Sequence, residues 1–470
     1  MLVAGSALAG DADRPPATRP AFDVIADAYF PHMDPDDPLA WPMKVRALAA
    51  DEYTFWRGSK EHFYDFAKRE CADWLVERRR FIPTHGDPHF GNVGSYLVAV
   101  EAGRPVVAIG FVDFDESVLL PPEMDLLQGW IMTRLAARKA RIPWTARLDA
   151  SVRAEMVASY TAAVESGRTA TELLSGEPAA IALLHPAPEP YAREVARLTE
   201  PASGRGGETA PAGRPVFRPV LRKSPQAEPT DALRPASQRL PEFASALARA
   251  SAEQVSISET LRYGSHGAFV SALRDAALRT RLKSSGSQGF RKYFVLIERP
   301  MVDAFELGSD LAVLYLKEQV EAPAERAGIS PRRNPPARRV VEHARALTRP
   351  RPLLCGWVDV GPGESYWLLL RDPWGTELDA GDFRTRDDLL AGVRIWATVA
   401  GSAHAHAAEA TGAPLPRLPA ERWDQVFERG ERYLARHTPA FADFLSDPRT
   451  RSLASRAERS VRDVAGLTGN

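Results

Sequence analysis

Apolar residues recur at helical spacing over Trp41 to Tyr53 and again over Glu61 to Arg80, and the pattern predicts a helix in each. The basic triplet Arg78-Arg79-Arg80 is the kind of charge that closes a helix C-terminus. The period then shortens to two. Val93 to Val100 and Val106 to Phe114 are β-rich runs joined by Glu101-Ala102-Gly103-Arg104, which predicts a hairpin. From Pro122 a helix is expected, with Glu123 in its first turn and Leu126, Leu127, Trp130, Ile131 and Leu135 as its buried stripe. Another covers Ala146 to Ser166. Residues 185–240 hold many of the prolines together with Gly204-Arg205-Gly206-Gly207, and read as a long connection with room for short strands. Beyond it the pattern predicts helices over about 241–255 and 267–282, then a β-rich region from 285 to about 320. A Pro/Arg-rich loop, Pro323 to Pro336, precedes a helix over Arg338 to Leu347. Strands follow near Leu353–Val360 and Tyr366–Arg371, and the chain is helical from Arg386 onward.

This is an α+β pattern, and 470 residues exceed what one compact core usually holds, so two lobes are expected. The division read from the pattern is a disordered leader over 1–37 and a helical lobe over 38–280, interrupted by the Pro-rich insertion at 185–240. A small β-rich lobe follows over 281–375, and helical structure resumes over 376–470.

Composition narrows the setting. Hydrophobic content of 44% and charged content of 26% are ordinary for a globular chain. A net charge of -1 gives no support for a nucleic-acid or anionic-membrane partner. Two cysteines, Cys71 and Cys355, make no disulfide framework, which points to a reducing compartment. The longest apolar runs are strand-sized, too short to span a bilayer. Met1 to Gly10 lacks the basic residues of a secretory signal, so a cytoplasmic location is expected.

The chemistry concentrates at His85-Gly86-Asp87-Pro88-His89-Phe90-Gly91-Asn92. Phosphoryl transfer needs a carboxylate near the attacking hydroxyl, ligands for Mg²⁺ and a clamp on nucleotide phosphates. Asp87 and Asn92, five residues apart, have the spacing of a kinase catalytic loop. A second carboxylate must come from another strand, and Asp113 in Asp113-Phe114-Asp115-Glu116 is the candidate. If Ala102-Gly103 form a two-residue turn, Asn92 stands opposite Asp113, and the two would ligate Mg²⁺. For the phosphate clamp, Gly286, Ser287 and Gly289 form a small-residue turn before a strand, and Lys317 lies on the strand after it. Glu342 is the expected partner of Lys317, with Glu318 and Glu321 as rivals. The glycine turn and Lys317 follow the catalytic loop instead of preceding it, the order of a circularly permuted kinase-like fold.

These motifs, with Phe55-Trp56-Arg57-Gly58, Arg339-Val340-Val341-Glu342 and Ala403-His404-Ala405, resemble an uncharacterised bacterial family, domain of unknown function twenty-two fifty-two. That family is similar to protein kinases and aminoglycoside phosphotransferases. The resemblance implies Asp87 as catalytic carboxylate, Asn92 and Asp113 as metal ligands and Lys317 as the phosphate-binding lysine, with ATP and Mg²⁺ as cofactors and an unknown small-molecule hydroxyl as acceptor. His85 is the more kinase-like choice before Gly-Asp, and His89 lies beside it. Arg57 is either a phosphate or carboxylate clamp or an ion-pair partner of Asp115 or Glu116. Asp125 is expected to anchor the loop backbone. His404 and His406, two apart on a helix, are expected to have at most one member pointing inward, and Trp367 to Asp372 to receive adenine. The rival readings are a pseudokinase that binds nucleotide without turnover, a metallophosphoesterase using Asp87-Pro88-His89 with His404 and His406, and an enzyme of the same fold that transfers AMP in place of phosphate.

Overall fold

A computed structural model describes residues 19–33, 37–101, 104–184, 190–202, 213–222, 229–282, 290–298, 308–371 and 373–466 of the chain. Part of the expected leader is helical: in α1 (Ala21–Tyr29), Phe22 stacks on Phe444 at 6.2 Å. The first expected helix is two, α2 (Ala40–Leu48) and α3 (Glu52–Arg57), because the Asp51 carboxylate accepts the Thr54 N–H at 2.8 Å and starts α3 afresh. The second ends early: α4 spans Lys60–Glu70, and Arg78–Arg80 form a separate 3₁₀ turn.

β1 (Ile82–Thr84) pairs antiparallel with β4 (Val118–Leu120), and between them rises the hairpin of β2 (Val93–Glu101) and β3 (Arg104–Phe111). Glu101 faces Arg104 as a two-residue turn requires, but a bulge between Leu97 and Ala99 shifts the register below it, and Val93 faces Phe111. Asn92 therefore meets Val112, whose N–H it accepts at 2.9 Å, and not Asp113. Asp113 turns away from the strand in a left-handed conformation, φ 60°.

α5 (Glu123–Lys139), α6 (Ala146–Ser166), α8 (Arg386–Thr411) and α9 (Ala420–Ser446) enclose one core, built around Trp130, Trp396, Tyr160 and Phe427. α7 (Pro336–Leu347) packs its Val340, Val341 and Ala344 onto the same core.

A second core lies under an all-antiparallel seven-stranded sheet, ordered β10-β11-β9-β8-β7-β6-β5. Its strands are β5 (Val220–Arg222), β6 (Pro229–Pro235), β7 (Leu273–Arg281), β8 (Lys292–Glu298), β9 (Leu311–Glu318), β10 (Cys355–Gly361) and β11 (Glu364–Leu370). One expectation changes here and another gains detail. The helix expected near 267–282 covers only His266–Ala272; the rest is β7, whose pairing with both β6 and β8 overrides the helical propensity of its Ala, Leu and Arg residues. The Pro-rich stretch supplies β5 and β6, so it extends the sheet. Pro229 and Pro235 stand at the two ends of β6, where a missing N–H costs least.

β11 joins the two cores by alternation: Tyr366 and Leu368 face the sheet core, while Trp367 faces the helical one. The chain then runs along β2 on its way back to the helices, with Ser95 N–H donating to Thr376 O at 2.8 Å and Leu378 N–H to Val93 O at 2.8 Å. Among the described residues no helix is long and apolar enough to cross a membrane.

Candidate functional site

The loop from His85 to Asn92 is held from several sides. Asp125, at the start of α5, accepts the backbone N–H of His85 at 2.7 Å and of Gly86 at 3.0 Å, as its expected anchoring role requires. His404 Nε2 lies 3.1 Å from Asp125 Oδ2, and Tyr160 OH meets His404 Nδ1 at 3.1 Å, so the anchor is itself fixed. Gly86 O accepts from Tyr64 OH and Gln128 Nε2. Gly86 has φ 76°, and a Cβ there would sit 2.1 Å from Glu116 O, so only glycine fits. Trp396 Nε1 donates to Pro88 O at 2.5 Å; Gly129 makes room for that indole, since a Cβ on it would lie 2.0 Å away. His406 is buried as well as His404, contrary to the one-sided expectation, because α8 is covered around most of its circumference.

Within the loop, Asn92 Nδ2 donates to Asp87 O at 2.9 Å, which closes the five-residue turn and leaves Asn92 Oδ1 without a donor among the described residues. His85 Nδ1 accepts the Asp87 N–H, and Nε2 lies 3.0 Å from Val112 O. His89 Nε2 lies 3.5 Å from Asp87 Oδ2; burial, then the charges of Arg57 and Lys60, hold the ring neutral well below the usual histidine range. Lys60 was missed from the sequence. Its ammonium is fully buried, 2.6 Å from Asp87 Oδ1, 2.9 Å from Gln128 Oε1 and 3.7 Å over the Trp56 ring. The available signal was a lysine in register with Phe63, Tyr64 and Ala67 on the buried face of α4.

Lys317, buried on β9 and paired in register with Trp367 on β11, ion-pairs with Asp113 and, at 2.5 Å, with Asp115. Gln319 Nε2 donates to Asp115 Oδ1 at 2.7 Å. Burial raises the Asp113 carboxyl, but Lys317 outweighs it and holds the group down to about 2; burial and Asp113 raise Asp115. Glu342 is a correction: it pairs on the surface with Arg333 and Arg338, while Glu318 pairs with Arg291 and Glu321 with Arg332. The residue of that motif that reaches the site is Arg339. Its buried guanidinium donates to Ser117 O, to Asp115 O at 3.0 Å and to Val320 O at 3.1 Å, fixing the loop that carries Asp113 and Asp115. Gly286, Ser287 and Gly289 lie outside the described residues.

Two cavities meet here. One is polar and lined by Lys44, Arg57, Asp87, His89, Asn92, Asp113, Asp115 and Glu116, with Tyr29 and Phe290 at its walls. The other is a cleft between hairpin and sheet, lined by Leu97, Phe114, Leu354, Trp367, Leu369 and Lys317 and also by Asp113. Asp113 borders both, and 44% of its side chain remains exposed to them. Burial, then Asp87 and Glu61, push the Glu116 carboxyl up to about 8. Arg57 forms no ion pair with Asp115 or Glu116 and no hydrogen bond among the described residues, and its Nε is buried without a partner. Among the described residues no three His, Cys, Asp or Glu side chains converge as a ready metal cage, and Lys317 fills the space between Asp113 and Asp115.

The family model described as "Uncharacterized protein conserved in bacteria (DUF2252)" matches residues 36–451. The chain belongs to the DUF2252 family. No curated protein and no solved structure matches it. The DUF2252 match takes in the anchored loop, the hairpin, the seven-stranded sheet and the helices α2 to α9 around them.

Proposed function

We propose that this DUF2252 protein is an ATP-dependent phosphotransferase of permuted, kinase-like organisation, acting on the hydroxyl of a small molecule. The observation that carries the reading is Asp113 at the junction of the two cavities, with Lys317 on its cleft side and Asp87 on its polar side. Adenine would stack in the cleft against Trp367 and Leu369, where edge groups of the chain at Arg371 are within the same lining; Asp372 lies outside the described residues. Lys317 would neutralise phosphate oxygens once the nucleotide competes for it with Asp113 and Asp115.

Asp87 would orient the acceptor hydroxyl and take its proton, with Lys60 fixing the carboxylate from behind. The oxygen-rich donor set fits a hard cation: Asn92 through its free Oδ1 and Asp113 would hold Mg²⁺, which when bound offsets charge on the phosphates. The metallophosphoesterase alternative draws less support, because His404 is spent on Asp125 and Tyr160. A pseudokinase would have no use for a Lys60-supported Asp87 facing a second cavity.

The test is calorimetric titration with ATP and Mg²⁺, followed by a metabolite screen with ATP labelled at the γ position. Wild-type protein should bind ATP and label an acceptor; Asp87→Ala should bind but not label, and Asp113→Ala should lose both. A wild-type protein that binds no nucleotide would sink the reading.

A further inference from the structure

The charged groups around the polar cavity are mostly matched in pairs. Lys60 is taken by Asp87, Lys317 by Asp113 and Asp115, Arg326 by Glu61, Arg291 by Glu318 and Arg332 by Glu321. Lys44, a fully buried cation of the same lining, sits over the Tyr29 ring and interacts electrostatically with Glu61, Glu116 and Asp87. Two groups, a guanidinium and a carboxyl, are left over among the described residues. Arg57, at the end of α3, makes no hydrogen bond or ion pair, and its Nε is buried. Glu116 makes none either, and its Oε2 is buried. Both line the cavity that holds Asp87, and they do not pair with each other. Buried polar atoms without partners are costly, and a guanidinium and a carboxyl that a cation can ionise, lining one cavity with a reactive carboxylate, describe a complementary ligand.

We infer that the acceptor is a small zwitterion, a hydroxyl compound whose anionic group is bound by Arg57 and whose ammonium is bound by Glu116. This rests on the phosphotransferase reading above. A guanidinium suits a carboxylate through two parallel N–H···O bonds, which fixes the ligand's orientation as well as its charge. Around Glu116 the charges of Asp87 and Glu61 oppose its ionisation more than those of Lys60 and Arg326 favour it, so a ligand ammonium supplies the positive charge that the carboxylate needs. The raised pKa of Glu116, about 8, agrees: the group carries a proton at neutral pH that a ligand ammonium displaces. A ligand with one charge would leave the other wall group buried and unmatched. In the transfer, the acceptor oxygen bonds to the γ-phosphorus as the bond to ADP breaks, and the hydroxyl proton passes to Asp87.

The experiment loads the full chain with Mg²⁺ and a non-hydrolysable ATP analogue, then titrates three matched probes: L-serine with both charges, ethanolamine with only the ammonium, and 3-hydroxypropionate with only the carboxylate. L-Serine should bind about tenfold or more tighter than either single-charge probe. Repeating the titration in two buffers of different ionisation enthalpy should show proton release on binding L-serine, lost in Glu116→Gln. Arg57→Gln should weaken L-serine and 3-hydroxypropionate and leave ethanolamine and the ATP analogue unchanged. No L-serine binding by the nucleotide-loaded protein, equal affinity for the three probes, or an Arg57→Gln effect on the nucleotide alone would overturn the inference. Absence of heat on adding the ATP analogue would instead overturn the phosphotransferase reading beneath it.

Discussion

Lys60 Nζ, on a helix outside the His85–Asn92 segment, lies 2.6 Å from Asp87 Oδ1. The lysine is fully buried, so its charge is tolerable only because Asp87, Gln128 and the face of Trp56 surround it. Removing one member of a buried pair leaves the other uncompensated. Lys60→Met should cost about 3–5 kcal/mol in urea denaturation, and adding Asp87→Asn should restore a large part of it. Equal urea midpoints for wild type and Lys60→Met would show that the pair contributes nothing.

Trp396 is another of the loop's supports. Trp396→Phe removes the donor to Pro88 O, a loss of about 1–3 kcal/mol for a buried acceptor left unmatched, and also shortens a fully buried bicyclic side chain to one ring, so a cavity cost adds to it. Gly129→Ala attacks the same contact by crowding the indole, and should cost at least about 1–3 kcal/mol. Thermal unfolding of the two variants and their combination should give less than additive losses, because both displace one ring. Strict additivity would argue that Trp396 does not couple them.

Glu116 predicts a pH dependence with a definite sign. Unfolded, its carboxyl releases its proton near about 4.3; folded, it holds it up to about 8. Between those values the folded state binds more protons, so this group lowers stability as pH rises from about 4.3 to 8, with no further change above. Glu116→Gln should therefore raise the melting temperature at pH 8 and leave it nearly unchanged at pH 4. Asp113 acts with the opposite sign: its folded value, held at about 2, adds stability above the unfolded value of about 3.9, lost as pH falls toward 2. A Glu116→Gln melting curve parallel to wild type across this range would contradict the assignment.

Arg339 joins α7 to the Asp113–Ser117 loop through the carbonyls of Asp115 and Ser117, donates to Val320 O after β9, and lies 3.4 Å from Glu325. Arg339→Met should leave those carbonyls buried without donors and cost about 3–5 kcal/mol in chemical denaturation. Hydrogen exchange should quicken at Asp115 to Ser117 while the α5–α6 helices keep their protection. Uniform loosening of the whole chain would instead make Arg339 a general core residue.

Much of the local structure was legible from periodicity. The α6 boundaries, the pairing of Glu101 with Arg104 and the strands β10 and β11 follow from side-chain periodicity, which depends on near neighbours; Ala102 and Gly103 lie outside the described residues. The Asp87-to-Asn92 spacing likewise carried its own geometry, since Asn92 bonds the Asp87 carbonyl within one turn. The register at Asp113 was not legible, because a bulge near Leu97 shifts every pair below it and nothing in the sequence marks it. Nor was the strand at Leu273–Arg281, where pairing on both sides overrules helical propensity.

The sequence by itself determined the loop, its chemistry-bearing side chains and the family to which the chain belongs. Only the tertiary structure decided which charges meet: Lys317 with Asp113 and Asp115 instead of Glu342, Lys60 with Asp87, and Arg57 and Glu116 with no partner among the described residues. The physical reason is range. Backbone turns and helix faces are set within a few residues, whereas a buried ion pair joins groups brought together by the packing of whole elements, here 204 residues apart for Lys317 and Asp113.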